Sequence, residues 1–160
     1  MNIAFDATAI LGPMSKNRGI GNYALSQFRT MIKNDIENKY FFFNCFEPFS
    51  LFEDPEDAGL VHEEYFYAGK DRFLIQNEKY KAVFGQIIKE FIRKNDIDVF
   101  YITSPFESNC YLYDRKWFAD VKVVVTVYDI IPYVFRERYL ADKTTYRWYM
   151  KCVDMLRWCG

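Results

Sequence analysis

The sequence predicts an α/β fold, a Rossmann-like parallel sheet with helices on both faces, and three observations carry that prediction. Short apolar runs at residues 2–7, 39–46, 98–103 and 121–127 have the length and composition of strands. Segments of helical period lie between them, at residues 20–36 and 80–92. Residues 121–135 read VKVVVTVYDIIPYVF, in which five of the first seven side chains are valine. Such a β-branched run with little alternation suits a strand buried on both faces, the mark of a parallel sheet covered by helices. Strands alternating with helices imply parallel βαβ units with right-handed crossovers. The 121–135 segment is expected to be the centre of the sheet. Through Tyr128 and Asp129 at its carboxyl end it is also expected to form one wall of a site, because open α/β sheets bind their ligands there.

Bulk properties narrow the class. The 160 residues suit one domain, and a 51% apolar content is ample for a core. Charge is balanced at 21 basic against 22 acidic residues, so no positive field attracts nucleic acid. The four cysteines contain no C-x-x-C pair and there is one histidine, a poor supply of zinc ligands. Reduced thiols in a cytosolic protein are the simpler reading. Met1 runs directly into a strand, without the charged and long apolar regions of a secretory signal. No segment approaches the roughly 18 apolar residues of a spanning helix. The expected location is cytoplasmic, free or peripheral to the inner face of a membrane.

In chain order, residues 2–7 form the first strand, closing on Asp6. Residues 7–18, with Gly12, Pro13 and Ser15, read as a loop. Gly19-Ile20-Gly21 opens a helix whose Ile20, Ala24, Leu25, Phe28, Ile32 and Ile36 share one face. Residues 39–46 are a second strand, rich in aromatics. Residues 47–64 hold two prolines, Gly59 and seven acidic side chains, and are expected to be an exposed excursion that ends in a short strand at 64–67. Tyr80, Val83, Phe84, Ile87, Ile88, Phe91 and Ile92 fall on an i, i+3, i+4, i+7 stripe, a helix. Residues 98–103 are a strand ending in Thr103-Ser104-Pro105, at the same sheet edge as Asp129. A loop with Pro132 follows the valine-rich strand, then a helix from Asp142 onward. On that helix Trp148, Tyr149, Cys152, Val153, Met155, Leu156 and Cys159 spread over about half the circumference, more than docking on a sheet requires. The surplus is covered either by the chain's own loops or by a partner, which would be a further domain or a second copy.

Few residues qualify for chemistry. Gly19 and Gly21 at a strand-to-helix turn would let backbone approach a phosphate at a helix N-terminus. They equally suit a turn that needs positive φ. Asp6 and Asp129 close strands at one edge, where a carboxylate binds sugar hydroxyls or caps a loop. Thr103 and Ser104 could donate to a polar ligand. His62 stands alone among acidic residues and reads as a solvated side chain, and no Ser/His/Asp or Cys/His set can be assembled.

The GIGNY of Gly19 to Tyr23 follows MNIAFDATAILGP, and VVVTVYDIIPYVF lies at the other end of the chain. Together they resemble the motifs of family 4 retaining glycosyltransferases of the GT-B fold. The resemblance covers nearly all of the chain. It implies that residues 1–160 are one Rossmann-like, acceptor-side N-terminal domain. The nucleotide-sugar-binding C-terminal domain, which carries a pair of spaced glutamates, lies outside this sequence. Glu56 and Glu64 reproduce that spacing by chance, inside an acidic loop. The implied reaction transfers a sugar from a nucleotide-sugar donor to a carbohydrate, lipid-linked or other hydroxyl acceptor, with retention and with no cofactor. Gly19 and Gly21 would approach the donor diphosphate across the cleft, and Tyr128 and Asp129 would lie near the transferred sugar. No catalytic residue or metal is assigned. Many relatives carry His where this chain has Tyr128. On this reading the 160 residues alone are inactive, and they self-associate or bind a hydrophobic dye. Two alternatives stand beside it. One is a non-catalytic, flavodoxin-like binding or regulatory module; a receiver-type version lacks the clustered acids it needs after the first strand. The other is a dinucleotide-dependent oxidoreductase, which the incomplete G-x-G-x-x-G disfavours.

Overall fold

The computed structural model describes residues 1–54, 56–57, 59–66, 78–107 and 112–160. Among these, five strands form one parallel sheet: β1 (Asn2–Asp6), β2 (Lys39–Asn44), β3 (Val61–Tyr65), β4 (Val99–Ile102) and β5 (Lys122–Val125). Their order is β3-β2-β1-β4-β5. Helices α1 (Thr8–Leu11), α2 (Gly19–Asn34), α3 (Glu78–Asn95), α4 (Ile131–Val134), α5 (Arg136–Tyr139) and α6 (Lys143–Leu156) complete the described elements, with one 3₁₀ turn at Arg115–Trp117. The expected Rossmann-like α/β fold is what the chain adopts. A flavodoxin-like sheet would instead run 2-1-3-4-5, so that variant of the alternative does not fit.

Aromatic side chains build both layers, because successive residues of a strand point to opposite faces. Phe5 of β1 and Phe42 of β2 meet Phe28 of α2, with ring centroids 4.5 and 5.5 Å apart. The next residue in β2, Phe43, points the other way, onto Phe91 and Phe84 of α3 at 5.0 and 5.9 Å. On that second face Phe100 of β4 packs on Phe118 and Tyr113. The periodic stripe of α2 buries Gly21, Ala24, Phe28 and Ile32, and that of α3 buries Phe84, Ile88 and Phe91.

Several expectations are corrected. The valine-rich strand is the sheet's edge, not its centre: β5 pairs with β4 alone, and within it only Val123 is fully buried. Valine content reports strand propensity and says nothing about how many neighbours a strand has. The centre is β1, flanked by β2 and β4, with Ala4, Phe5 and Asp6 buried. Beyond β5, the backbone N–H of Gly160 donates to the carbonyl of Val123 at 2.8 Å. Residues 8–11 are a buried helical turn rather than loop, because Thr8, Ala9, Ile10 and Leu11 all face inward. Helix α2 stops at Asn34, leaving Ile36 exposed beyond it, and Tyr80 and Val83 lie on the wet side of α3.

The acidic segment after β2 is exposed over most of its described length, as expected, but it is anchored at two points. Phe52 packs against Phe28 and Phe42 at 5.4 and 5.0 Å. Asp57 is buried, with its carboxylate 2.8 Å from the Arg29 guanidinium and 3.3 Å from the Lys33 ammonium, both on α2. The segment thus lies beside α2 and does the work of a crossover helix between β2 and β3. Strand β3 falls at Val61–Tyr65, earlier than the expected 64–67, and position 67 is outside the described residues. His62 is exposed, 3.2 Å from Glu64, as expected.

The apolar surplus of α6 is largely taken up by the chain itself. Tyr149, Cys152 and Met155 are buried. Phe106 stacks on Tyr149 at 4.7 Å, and Trp158 meets Phe118 at 5.8 Å. Burial pushes the Cys152 and Cys159 thiols up to about 12 and about 11, which makes them inert neutral groups. Cys110 is outside the described residues. Among the described residues, no helix is long and apolar enough to cross a membrane.

Candidate functional site

All five strands point their carboxyl ends the same way, and the sheet order reverses direction between β1 and β4. In an open α/β sheet the crevice at that switch is the usual ligand site. Here it is filled. The Asp6 carboxylate accepts from the Thr8 hydroxyl at 2.5 Å, the Thr103 amide at 2.7 Å, the Thr103 hydroxyl at 2.6 Å and the Tyr113 hydroxyl at 2.7 Å. The Thr103 hydroxyl in turn accepts from the Ala9 amide at 2.8 Å. Burial raises the Asp6 carboxyl above the ordinary carboxylate range, against the opposing pull of these donors. Burial also pushes the Tyr113 phenol well above its usual value. The network joins β1, β4, α1 and the segment before the 3₁₀ turn.

Thr103 and Ser104 belong to this closed region. Thr103 is 1% exposed and its hydroxyl is fully engaged. The Ser104 side chain is buried too, its Oγ accepting from the Phe106 amide at 3.4 Å. Both could donate to a polar ligand by sequence, and both are buried and hydrogen-bonded within the fold in this arrangement.

A second buried acid holds the loop that leads into α2. Glu107 accepts from the Ser15 hydroxyl at 2.6 Å and from the Met14 amide. Burial raises its carboxyl above the usual value, with Ser15 and Met14 pulling the other way. Glu107 thereby fixes the loop between α1 and α2 to the exit of β4.

The open part of the edge lies between α2 and β5. The first turn of α2 follows the exposed Arg18, and no side chain caps it. Gly19 is exposed, and a Cβ added there meets no atom within 4 Å. Gly21 is different: its Cβ would stand 2.5 Å from the Ser15 carbonyl oxygen and 3.0 Å from that of Ala9. Neither glycine has positive φ. Gly21 is thus a packing glycine that lets α2 slide under the preceding loop, neither a turn residue nor one facing a ligand.

One turn further along α2, the exposed Tyr23 meets Tyr128 edge-on, with centroids 5.9 Å apart and an interplanar angle of 89°. Burial lifts the Tyr128 phenol to about 12, so it is a neutral hydroxyl. Below them, Gln27 donates to the Tyr101 hydroxyl at 3.3 Å, Tyr101 is hydrogen-bonded to the Thr126 hydroxyl, and its ring stacks on Phe5 at 4.4 Å. Asp129 is exposed, and its Oδ1 accepts from the Ile131 amide at 3.0 Å. It caps the turn into α4 and still presents a carboxylate oxygen to solvent.

The structure therefore joins Tyr23, in the first turns of α2, to Tyr128, just beyond β5, while Thr103 and Ser104 are buried within the fold. Sequence reasoning missed Tyr23 as a wall residue, although it stands inside the GIGNY motif. It had no means to find Glu107, which lies 92 positions from its partner Ser15. Among the described residues, no group of three or more His, Cys, Asp or Glu side chains is placed to hold a metal ion. The open wall offers ring faces and edges, neutral hydroxyls, one exposed carboxylate and the N-terminus of a 16-residue helix. Those groups suit a hydroxyl-rich ligand and an anion beside it. No protein-family model, curated protein or solved structure matches the chain. The fold is that of a Rossmann-like α/β protein, and its candidate site is the surface where Tyr23 of α2 meets Tyr128 beyond β5.

Proposed function

We propose that the chain is the acceptor-side domain of a retaining glycosyltransferase of the GT-B type. It would work in the cytoplasm and transfer a sugar from a nucleotide-sugar donor to an acceptor hydroxyl. The observation that carries the reading is the Tyr23–Tyr128 contact, which brings the two resemblance motifs into one wall at the carboxyl edge of the sheet. The filled switch point speaks against a dinucleotide cofactor in the usual place.

In this reading Asp129 accepts hydrogen bonds from hydroxyls of the sugar or acceptor, and Tyr23 and Tyr128 supply the ring surface. Gly19, with space above it, admits the donor diphosphate to the uncapped N-terminus of α2, where backbone N–H groups and the helix dipole stabilise negative charge. The contribution of this domain is positioning and electrostatic stabilisation of the leaving diphosphate. Donor binding would fall mainly to a second domain.

The test is Asp129→Asn in the enzyme containing this chain, with transfer and melting temperature measured on the same preparation. Asn keeps an acceptor for the Ile131 amide, so the cap survives and the melting temperature stays within about 2 °C. Transfer falls by at least about tenfold, as expected when one charged contact to substrate is lost. Near-normal turnover per folded molecule would show that Asp129 is only a cap.

A further inference from the structure

Helix α3 and the 3₁₀ turn at Arg115–Trp117 enclose a small crevice that the candidate site does not use. There Phe84 of α3 meets Trp117 edge-on, with ring centroids 5.9 Å apart. The crevice has a volume of about 160 Å³. Pockets for drug-sized ligands run from roughly 300 to 1,000 Å³. This one holds about five waters at roughly 30 Å³ each, so it suits one small group and not a nucleotide.

Every polar side chain lining it can donate a hydrogen bond, and only Gln86 can also accept one. Lys81 and Lys89 come from α3, and Lys116 comes from the 3₁₀ turn. The floor is the Trp117 indole lying against Gly85. A Cβ at position 85 would overlap the indole Nε1 and Cε2, so the missing side chain is what lets the nitrogen edge of the ring reach the helix backbone. Trp117 is 4% exposed. A buried indole N–H normally finds an acceptor, yet among the described residues no hydrogen bond engages this one. Charge points the same way. No carboxylate lines the crevice. Asp114 pairs with Lys116 at 3.1 Å, while among the described residues Lys81 and Lys89 have no ion-pair partner. The sequence adds Glu78 and Lys79 just before Lys81, one of each sign. Water alone would satisfy the indole and leave like charges facing one small space, which an anion relieves.

We propose that this crevice binds a tetrahedral oxyanion, either a phosphate ion or the phosphate group of a monoester. Its oxygens accept from the Trp117 indole N–H, from the Lys81, Lys89 and Lys116 ammonium groups and from the Gln86 amide. Charge-assisted hydrogen bonds of this kind are the strong ones. The proposal is independent of the transferase reading, because α2 and α3 cover opposite faces of the sheet and the crevice shares no residue with the Tyr23–Tyr128 surface.

The experiment is proton–nitrogen NMR of the chain titrated with inorganic phosphate and, separately, with glycerol 3-phosphate, at an ionic strength held constant with sodium chloride. The chain has three tryptophans, so its indole N–H signals are few. The Trp117 signal should move downfield and saturate, half-complete at or below about 1 mM, while those of Trp148 and Trp158 stay in place. The tighter of the two titrants identifies the source of the phosphate group. Lys89→Gln with Lys116→Gln should raise the half-saturating concentration by about tenfold or more, as expected when charged donors are lost. Both lysines are exposed, so melting temperature and circular dichroism should match the parent. Arg136→Gln with Arg138→Gln removes the same charge from exposed positions outside the crevice and should leave binding unchanged. Three results would overturn the proposal: a Trp117 signal that neither titrant shifts to saturation, a lysine pair that binds as the parent does, or an arginine pair that weakens binding as much as the lysine pair.

Discussion

At Gly21 a single added carbon would press on two backbone carbonyl oxygens, those of Ser15 and Ala9. Backbone does not swing aside as a flexible side chain does, so the loop or the helix must shift. Gly21→Ala is expected to cost about 2 kcal/mol as an overpacking change. It should lower the melting temperature by about 5 °C for a chain of this size. Gly19→Ala, with nothing within 4 Å, should leave the melting temperature unchanged. Differential scanning calorimetry of the two variants decides the matter, and equal behaviour would contradict the assignment. The pair also shows a limit of sequence reading. A glycine that admits a ligand and a glycine that admits its own loop both appear as a missing side chain. Asp6 is a similar case: its position at a strand end was legible, but three of its hydroxyl and amide donors come from Thr103 and Tyr113, about a hundred residues away.

At the scale of elements, what the sequence made legible was periodicity. The 3.6-residue stripes of α2 and α3 and the apolar runs of β1, β2 and β4 need only local spacing, and they emerged with boundary errors of no more than three residues. What could not be read was order across the sheet. The valines of β5 suggested a centre, and only pairing reveals an edge. The connection between α2 and β2 illustrates a local device that spacing does not announce. Asp35, just after α2, accepts from the Tyr40 hydroxyl and the Asn38 amide, each at 2.6 Å, and from the backbone N–H of Glu37 at 2.9 Å. The Tyr40 hydroxyl, first, and the Asn38 side chain hold the Asp35 carboxyl down at about 2. A carboxyl depressed on folding adds stability that is fully present above its ordinary value and is lost as pH falls through the folded value. Tyr40→Phe should therefore be less stable than the parent at neutral pH. The gap should narrow between about pH 4 and pH 2, the window set by the ordinary and folded values. Urea midpoints measured across that window provide the check, and a gap that stays constant would mean that the hydroxyl contact does not act through ionisation of Asp35.

Taken whole, the molecule divides into a well-buried body and a lightly held projection. Phe5, Phe28 and Phe42 on one face of the sheet and Phe43, Phe91 and Phe100 on the other are buried to within about one per cent and pack as one cluster on each side. The turns of α4 and α5 bury nothing, and Leu140 is the first buried residue after them. Helix α6 returns to the body through Met155 and through the ring of Trp158 on Phe118. Local opening of residues 131–139 thus uncovers no fully buried side chain and breaks only the short hydrogen bonds of two single turns. Its free-energy cost must lie far below that of unfolding the sheet. Native-state hydrogen exchange should find the amides of β1, β2 and β4 exchanging only on global unfolding. Those of residues 131–139 should exchange faster by at least about a thousandfold, as for opening that costs about 4 kcal/mol less. Limited trypsin treatment should likewise cut first after Arg136 or Arg138, leaving the β1–β5 body folded. Strong protection of residues 131–139 in the free chain would mean that they are covered by the body and would contradict this division.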